Sequence, residues 1–202
     1  MRFLALGDSY TIGEGVGEGD RWPSHLVNRL QRDGFYISDV QLVAQTAWTA
    51  DELGDAIDEA RPKGPFDLVT LMVGVNDQYR SRPVEAFAPE FERLLRRAVG
   101  FAGGKAGRVI AISIPDWGAT PFAKGRDRSL IGREIDVYNT RSRELAARAK
   151  IAWVDVTPAS RETLSRPTLV TADGLHPSGE MYACWAELIA PVAVAALNRT
   201  RR

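Results

Sequence analysis

Cysteine and histidine are both scarce in this chain of 202 residues, and each scarcity narrows the chemistry. The single cysteine, Cys184, excludes an internal disulfide. Its neighbours Met181, Trp185 and Leu188 read as one helix face, so the thiol is expected to be buried and inert. The only histidines are His25 and His176. That is a poor set for a two-metal phosphoesterase, which needs several such ligands beside bridging carboxylates. Net charge is also missing. Lys and Arg number 26, as do Asp and Glu, so no global field gathers nucleic acid or an anionic membrane surface. The arginines within 199–202 read as a solvated tail.

Long apolar runs are absent as well: no segment reads as the roughly 20 apolar residues that cross a membrane. The apolar stretch in the opening MRFLALGDSY is too short for a secretory signal. The expectation is a cytoplasmic protein with no membrane span and no nucleic-acid partner. Oligomeric state is not legible.

What is present is an alternation. Short apolar runs rich in β-branched residues, at 3–6, 36–44, 66–73, 109–114 and 151–156, read as strands. Helical spacing separates them: Leu26 and Leu30; Leu53 and Ile57; Phe87, Phe91, Leu94, Leu95 and Ala98; then, more loosely, Ile135, Leu145 and Ala149. A last helix is expected to open with Pro177 in its first turn and to bury Met181, Trp185, Leu188 and Val192, with Pro191 kinking it. Strand and helix repeated five times predict an α/β fold, a three-layer α/β/α sandwich around a five-stranded parallel sheet. There is no linker or internal repeat, so residues 1–202 read as one domain.

In such a sheet ligands bind beyond the carboxyl ends of the strands. The segments that follow the strands are Gly7-Asp8-Ser9-Tyr10-Thr11, Gln45-Thr46-Ala47-Trp48, Gly74-Val75-Asn76-Asp77, Pro115-Asp116-Trp117 and, after a longer loop, Asp173-Gly174-Leu175-His176. Hydroxyl, amide, carboxylate and imidazole therefore converge on one edge. A serine hydroxyl needs a base to become a nucleophile. His176 is the better base, because Asp173 three residues before it can hold Nδ1 and leave Nε2 for Ser9. His25 sits in a first helical turn and reads as a packing or surface residue. Asn76 and the backbone N–H of Ser9 are candidate oxyanion donors.

Gly7-Asp8-Ser9, Gly74-Val75-Asn76-Asp77 and Asp173-Gly174-Leu175-His176, in this order and at strand ends, resemble blocks one, three and five of the SGNH (GDSL-type) hydrolases over essentially the whole chain. The resemblance implies a flavodoxin-like sheet, a Ser9–His176–Asp173 triad, no metal or cofactor, and hydrolysis of carboxylic esters or thioesters. One block departs from the pattern. The family usually has a glycine after the second strand, whose N–H is the third oxyanion donor, and Ala47 stands there in this chain. Alanine keeps the N–H but adds a methyl, at a greater cost if the position needs a positive φ.

The plainer readings are a capping serine at Ser9, a merely structural Asp173–His176 pair and a left-handed turn at Asn76. Asp8 and Asp77 read as loop-stiffening acceptors. Asp116 and Asp155 are rival acids without a nearby histidine. Glycines 13, 15, 17 and 19 do not fit a dinucleotide fingerprint and read as a mobile surface loop. Tyr10, Trp48, Tyr79, Trp117 and Phe122 are candidate pocket residues, whereas Trp22 and Trp153 read as core. The expected substrate is a small acyl or aryl ester, with lysophospholipids, thioesters and acetylated sugars open to the same triad. A flavin- or phosphate-binding module and a catalytically idle scaffold are the competing classes.

Overall fold

The first strand, β1 (Arg2–Gly7), is apolar on both faces, and Phe3, Leu4, Ala5 and Leu6 have no exposed surface. Such a strand must lie inside a sheet covered on both sides. In the computed structural model, which describes residues 1–198, it does. The arginines expected as a tail lie outside the described residues.

The chain continues through α1 (Ser9–Ile12), α2 (Trp22–Arg32), β2 (Asp39–Ala44), α3 (Ala50–Ala60), β3 (Leu68–Met72), α4 (Val75–Tyr79) and α5 (Val84–Phe101). It ends with β4 (Val109–Ile112), α6 (Arg128–Arg148), β5 (Ala152–Val154), α7 (Thr157–Ser160) and α8 (Gly179–Asn198). All five strands are parallel, in the order β2-β1-β3-β4-β5. Helices α2 and α8 pack together in one layer, and α3, α5 and α6 pack in series in the other. The architecture is the expected three-layer sandwich.

Each expected strand is present: β1 runs one residue further at each end than expected, and the other four are shorter. The largest trim is at β2, an edge strand that begins at Asp39, because Tyr36 stands exposed in the lead-in. The helical stripes on α2, α3 and α5 are buried as the spacing required.

Helix α8 differs from its expected form. It begins at Gly179, beyond Pro177, and stays helical past Pro191. Met181 and Trp185 are buried, but Leu188 is exposed and Val192 only half-buried; Tyr182, Ile189, Ala190 and Ala193 complete the buried face. Cys184 is exposed, not buried. By length and composition α8 is also apolar enough to cross a bilayer, contrary to the sequence reading. Here that apolarity serves packing against α2 and the sheet.

Two glycines bring the loops down onto the strand ends. A Cβ on Gly7 would stand 2.1 Å from Thr11 Oγ1 and 2.7 Å from the Met72 carbonyl, so only glycine lets α1 sit directly on β1. Gly74, at φ +127°, packs under the Phe87 ring, 2.8 Å from where a Cβ would lie.

Candidate active site

Ser9 is the first residue of α1, immediately beyond β1. Asp8 caps that helix: its Oδ1 accepts the Tyr10 N–H at 3.0 Å. The Ser9 N–H belongs to the first helical turn and has no acceptor within the helix. Burial lifts the Asp8 carboxyl to about 7, offset in part by the Tyr10 N–H and reinforced by Asp77 nearby. Its Oδ2 is buried without a partner.

His176 lies at the end of a tight loop closed by a Val170–Pro177 bridge and by the Thr171 N–H to the His176 carbonyl at 2.7 Å. Its Nδ1 is 2.7 Å from Asp173 Oδ2. Asp173 Oδ1 accepts three more bonds: from Leu175 N–H at 2.7 Å, from Thr171 Oγ1 at 2.8 Å and from His176 N–H at 3.0 Å. Partial burial pushes the Asp173 carboxyl up. The bonds from His176, Leu175 and Thr171 outweigh it and hold the group near 2, so it stays ionised. An ionised carboxylate on Nδ1 fixes the tautomer that leaves Nε2 as the acceptor.

Across the cleft, two loops meet. Asn76, in the first turn of α4, donates one Nδ2 hydrogen to the Trp48 carbonyl at 2.9 Å, which leaves its second N–H unspent. Asp77 is buried and accepts the Ala50 N–H at 2.9 Å, clamping the start of α3 to α4. Burial raises its carboxyl to about 6 against the pull of the Ala50 N–H and Arg82. Ala47 has φ +71°, the left-handed conformation that a glycine would take without strain. Its carbonyl is held by Arg80 Nη2 at 2.7 Å, and its N–H has no hydrogen-bond acceptor among the described residues.

Ser9, Ala47, Asn76 and His176 line one cleft of ≈ 200 Å³, with Tyr10, Thr46, Val75, Tyr79, Trp117, Phe122 and Leu175. No hydrogen bond joins Ser9 to His176 among the described residues; the hydroxyl is left to the cleft. The Tyr10 ring stands 5.2 Å from the imidazole. Trp117 is fixed by its Nε1–H to Gln78 Oε1 at 2.6 Å, and Gln78 in turn donates to Glu134. Among the described residues no three of His, Cys, Asp and Glu are grouped to hold a metal ion.

Comparison with known proteins decides the family. A model of the GDSL-like Lipase/Acylhydrolase family matches residues 5–184. The chain belongs to that family. Solved structures with the same fold include TesA (TM-score 0.71, 19% identity, 98% of this chain and 100% of that one). A lipolytic G-D-S-L protein of Veillonella parvula DSM 2008 is 20% identical, with TM-score 0.69 and 98% and 99% coverage. Axe2, an acetylxylan esterase of Geobacillus stearothermophilus, is 19% identical, with TM-score 0.69 and 97% and 93% coverage. No curated protein sequence matches.

Against this GDSL-like hydrolase frame, the residues singled out in the sequence separate cleanly. Ser9, His176, Ala47 and Asn76 share the cleft, and Asp173 stands behind His176. Of the five aromatics, Tyr10, Tyr79, Trp117 and Phe122 line it. Trp48 does not; it is half-buried and serves through its carbonyl, because the left-handed turn at Ala47 precedes it. The rival acids are engaged elsewhere: Asp116 with Gly118 N–H and Arg161, and Asp155 with Thr157 N–H. Asp8 and Asp77 accept backbone N–H groups, as their loop-stiffening reading required. The glycine-rich loop is not free of the site. Glu14 takes a hydrogen bond from Thr46, and Gly15 packs against Thr171. Thr46, Val75, Leu175 and the rim residue Arg126 had no signal in the sequence beyond lying near strand ends or in a loop.

Proposed function

We propose that this hydrolase is a serine esterase for small carboxylic esters. Ser9 is the nucleophile and His176 its general base, and Asp173 orients and stabilises the imidazolium. The observation that carries the reading is the 2.7 Å Asp173–His176 pair set in the same cleft as Ser9. The oxyanion forms among the Ser9 N–H, the Ala47 N–H and the spare N–H of Asn76. His176 takes the serine proton, returns it to the leaving alcohol, and then activates the water that releases the acid. The residues of the cycle come from this chain alone and call on no cofactor. A cleft of ≈ 200 Å³ favours a short acyl or aryl group, since sites for drug-sized ligands run to about 300–1,000 Å³. Thioesters and acetylated sugars fit the same chemistry and are separated from simple esters by substrate comparison.

The test is fluorophosphonate labelling with peptide mapping, beside 4-nitrophenyl esters of graded chain length. The expected result is a single adduct on Ser9, a rate that falls with chain length and on acidification, and loss of turnover in Ser9→Ala by about 10⁴-fold or more. An unlabelled Ser9, or esterase activity that persists in a pure, folded Ser9→Ala protein, overturns the assignment.

A further inference from the structure

Arg126 occupies the rim of the cleft. Its guanidinium carbon is 5.2 Å from the centroid of Trp117, 5.3 Å from Tyr79 and 5.4 Å from Phe122. One Nη2 hydrogen reaches the Tyr79 hydroxyl at 3.3 Å. The same three rings line the cleft that holds Ser9 and His176. Ring faces attract a cation, so three rings, Tyr79 from α4 and Trp117 and Phe122 from the connection before α6, set this guanidinium in one place.

Its electrostatic situation is unlike that of other arginines around the site. Arg80 is paired with Glu52, Arg82 with Asp51 and Asp77, and Arg161 with Asp116 and Asp136. Arg126 has no carboxylate within ion-pair distance among the described residues, and neither have Lys124 and Arg128 on either side of it. The one acid in this stretch, Asp127, spends Oδ1 on the Leu130 N–H as the cap of α6. The stretch is also tied to the catalytic loop: the Phe122 N–H donates at 2.9 Å to the carbonyl of Gly174, which lies between Asp173 and His176. A cation without a counter-ion therefore stands at a fixed offset from the base. A guanidinium stacked on rings keeps its planar fork of donors, which matches a carboxylate or phosphate in bidentate fashion.

We propose that Arg126 is a specificity-determining residue that receives an anionic group, carboxylate or phosphate, carried by the ester at a distance from the scissile bond. The proposal rests on the esterase reading above and narrows its substrate class.

The test uses matched esters. One pair is 4-nitrophenyl hemiglutarate and its methyl ester, with the charge on the acyl side. The other is 4-acetoxybenzoate and its methyl ester, with the charge on the leaving group; 4-acetoxyphenyl phosphate then distinguishes phosphate from carboxylate. In at least one pair the anionic ester is expected to have the higher kcat/KM. That preference is expected to fall about fivefold or more in Arg126→Gln and in 1 M salt, to survive in part in Arg126→Lys and to invert in Arg126→Glu. The neutral esters report on the basal site and are expected to change less than about twofold, Arg126 being exposed. Equal losses on neutral and anionic esters, or no change on either, show that Arg126 only packs the rings and overturn the proposal. A gain for choline esters on removing Arg126, with anionic esters unaffected, shows instead that the rings serve a cationic substrate and overturns it too. Failure of the esterase reading is visible separately, as absence of neutral-ester hydrolysis. The anchor is then read without turnover, by calorimetric binding of monomethyl glutarate to the Ser9→Ala protein with and without Arg126→Gln. Weaker binding without Arg126 supports the proposal, and equal or undetectable binding in both refutes it.

Discussion

On one wall of the cleft, Asp173 collects its four hydrogen bonds from residues two or three positions away, and the loop that holds His176 closes on itself. On the other wall, Asn76 reaches Trp48, Asp77 reaches Ala50 and Arg80 reaches Ala47 across 28, 27 and 33 positions. The wall of Asp173 and His176 is thus a local motif that carries its own geometry. The wall of Ala47 and Asn76 exists only after β1, β2 and β3 have paired in register, which brings the ends of β2 and β3 to either side of Ser9. A hydrogen-bonded turn tolerates change in the rest of the fold; an assembly of distant loops transmits it. Strain is unequal too, since Ala47 sits in the left-handed region on the assembled wall while the only positive φ in the Asp173–His176 segment is at Gly174.

The largest break in this comparison is expected at the local wall. Asp173→Asn removes the charge that orients His176, and should lower kcat by about 10³–10⁴-fold with the fold intact. The same variant reads its pH linkage. The folded carboxyl titrates near 2, below its ordinary 3.8, so its stabilising effect is complete above about pH 4 and disappears as pH falls towards 2. Urea midpoints measured down that range should lose part of their acid sensitivity in Asp173→Asn; identical curves would mean that the hydrogen bonds contribute nothing to folding.

Next is the assembled wall. Asn76→Ala is expected to cost about 10²–10³-fold in kcat with KM little changed, because the donor acts on charge that develops in the transition state. A pure KM effect would identify Asn76 as a substrate-binding group instead. The smallest effect is at Ala47. Replacing it by glycine relieves a left-handed alanine worth about 1–2 kcal/mol and returns about 0.5–1 kcal/mol of backbone entropy to the unfolded chain. A net stabilisation of up to about 1.5 kcal/mol is expected in chemical denaturation, with kcat changed by about threefold or less. A large rise in kcat would show that the methyl, and not the φ, limits the oxyanion site.

The local wall was also the legible one. Asp173 and His176 are three residues apart beside a helix start, and hydrogen-bond reach follows from that spacing alone. The strands were legible for a related reason: a strand buried on both faces, such as β1 or β3, has few ways to be written except as an apolar run. The face of α8 was not legible. Alanine, leucine, isoleucine and valine occupy most of its circumference, so a 3.6-residue period selects no unique stripe, and the choice fell to contact with α2 and the sheet. Cys184 and Leu188 were misplaced for that reason. Trp48 was placed in the pocket by its position after a strand, but the turn at Ala47 gave its carbonyl, not its ring, to the site.

The sequence by itself determined the three-layer order and the partners Asp173 and His176, because each follows from periodicity or from contacts a few residues long. Only the tertiary structure decided the left-handed conformation of Ala47, the clamp of Asp77 on Ala50 and the placing of Arg126 among Tyr79, Trp117 and Phe122. The Arg80 bond to the Ala47 carbonyl, the Asp77 clamp and the Arg126 contact with Tyr79 each join segments far apart in the chain, and their relative positions are set by strand register and helix packing, which no local pattern encodes.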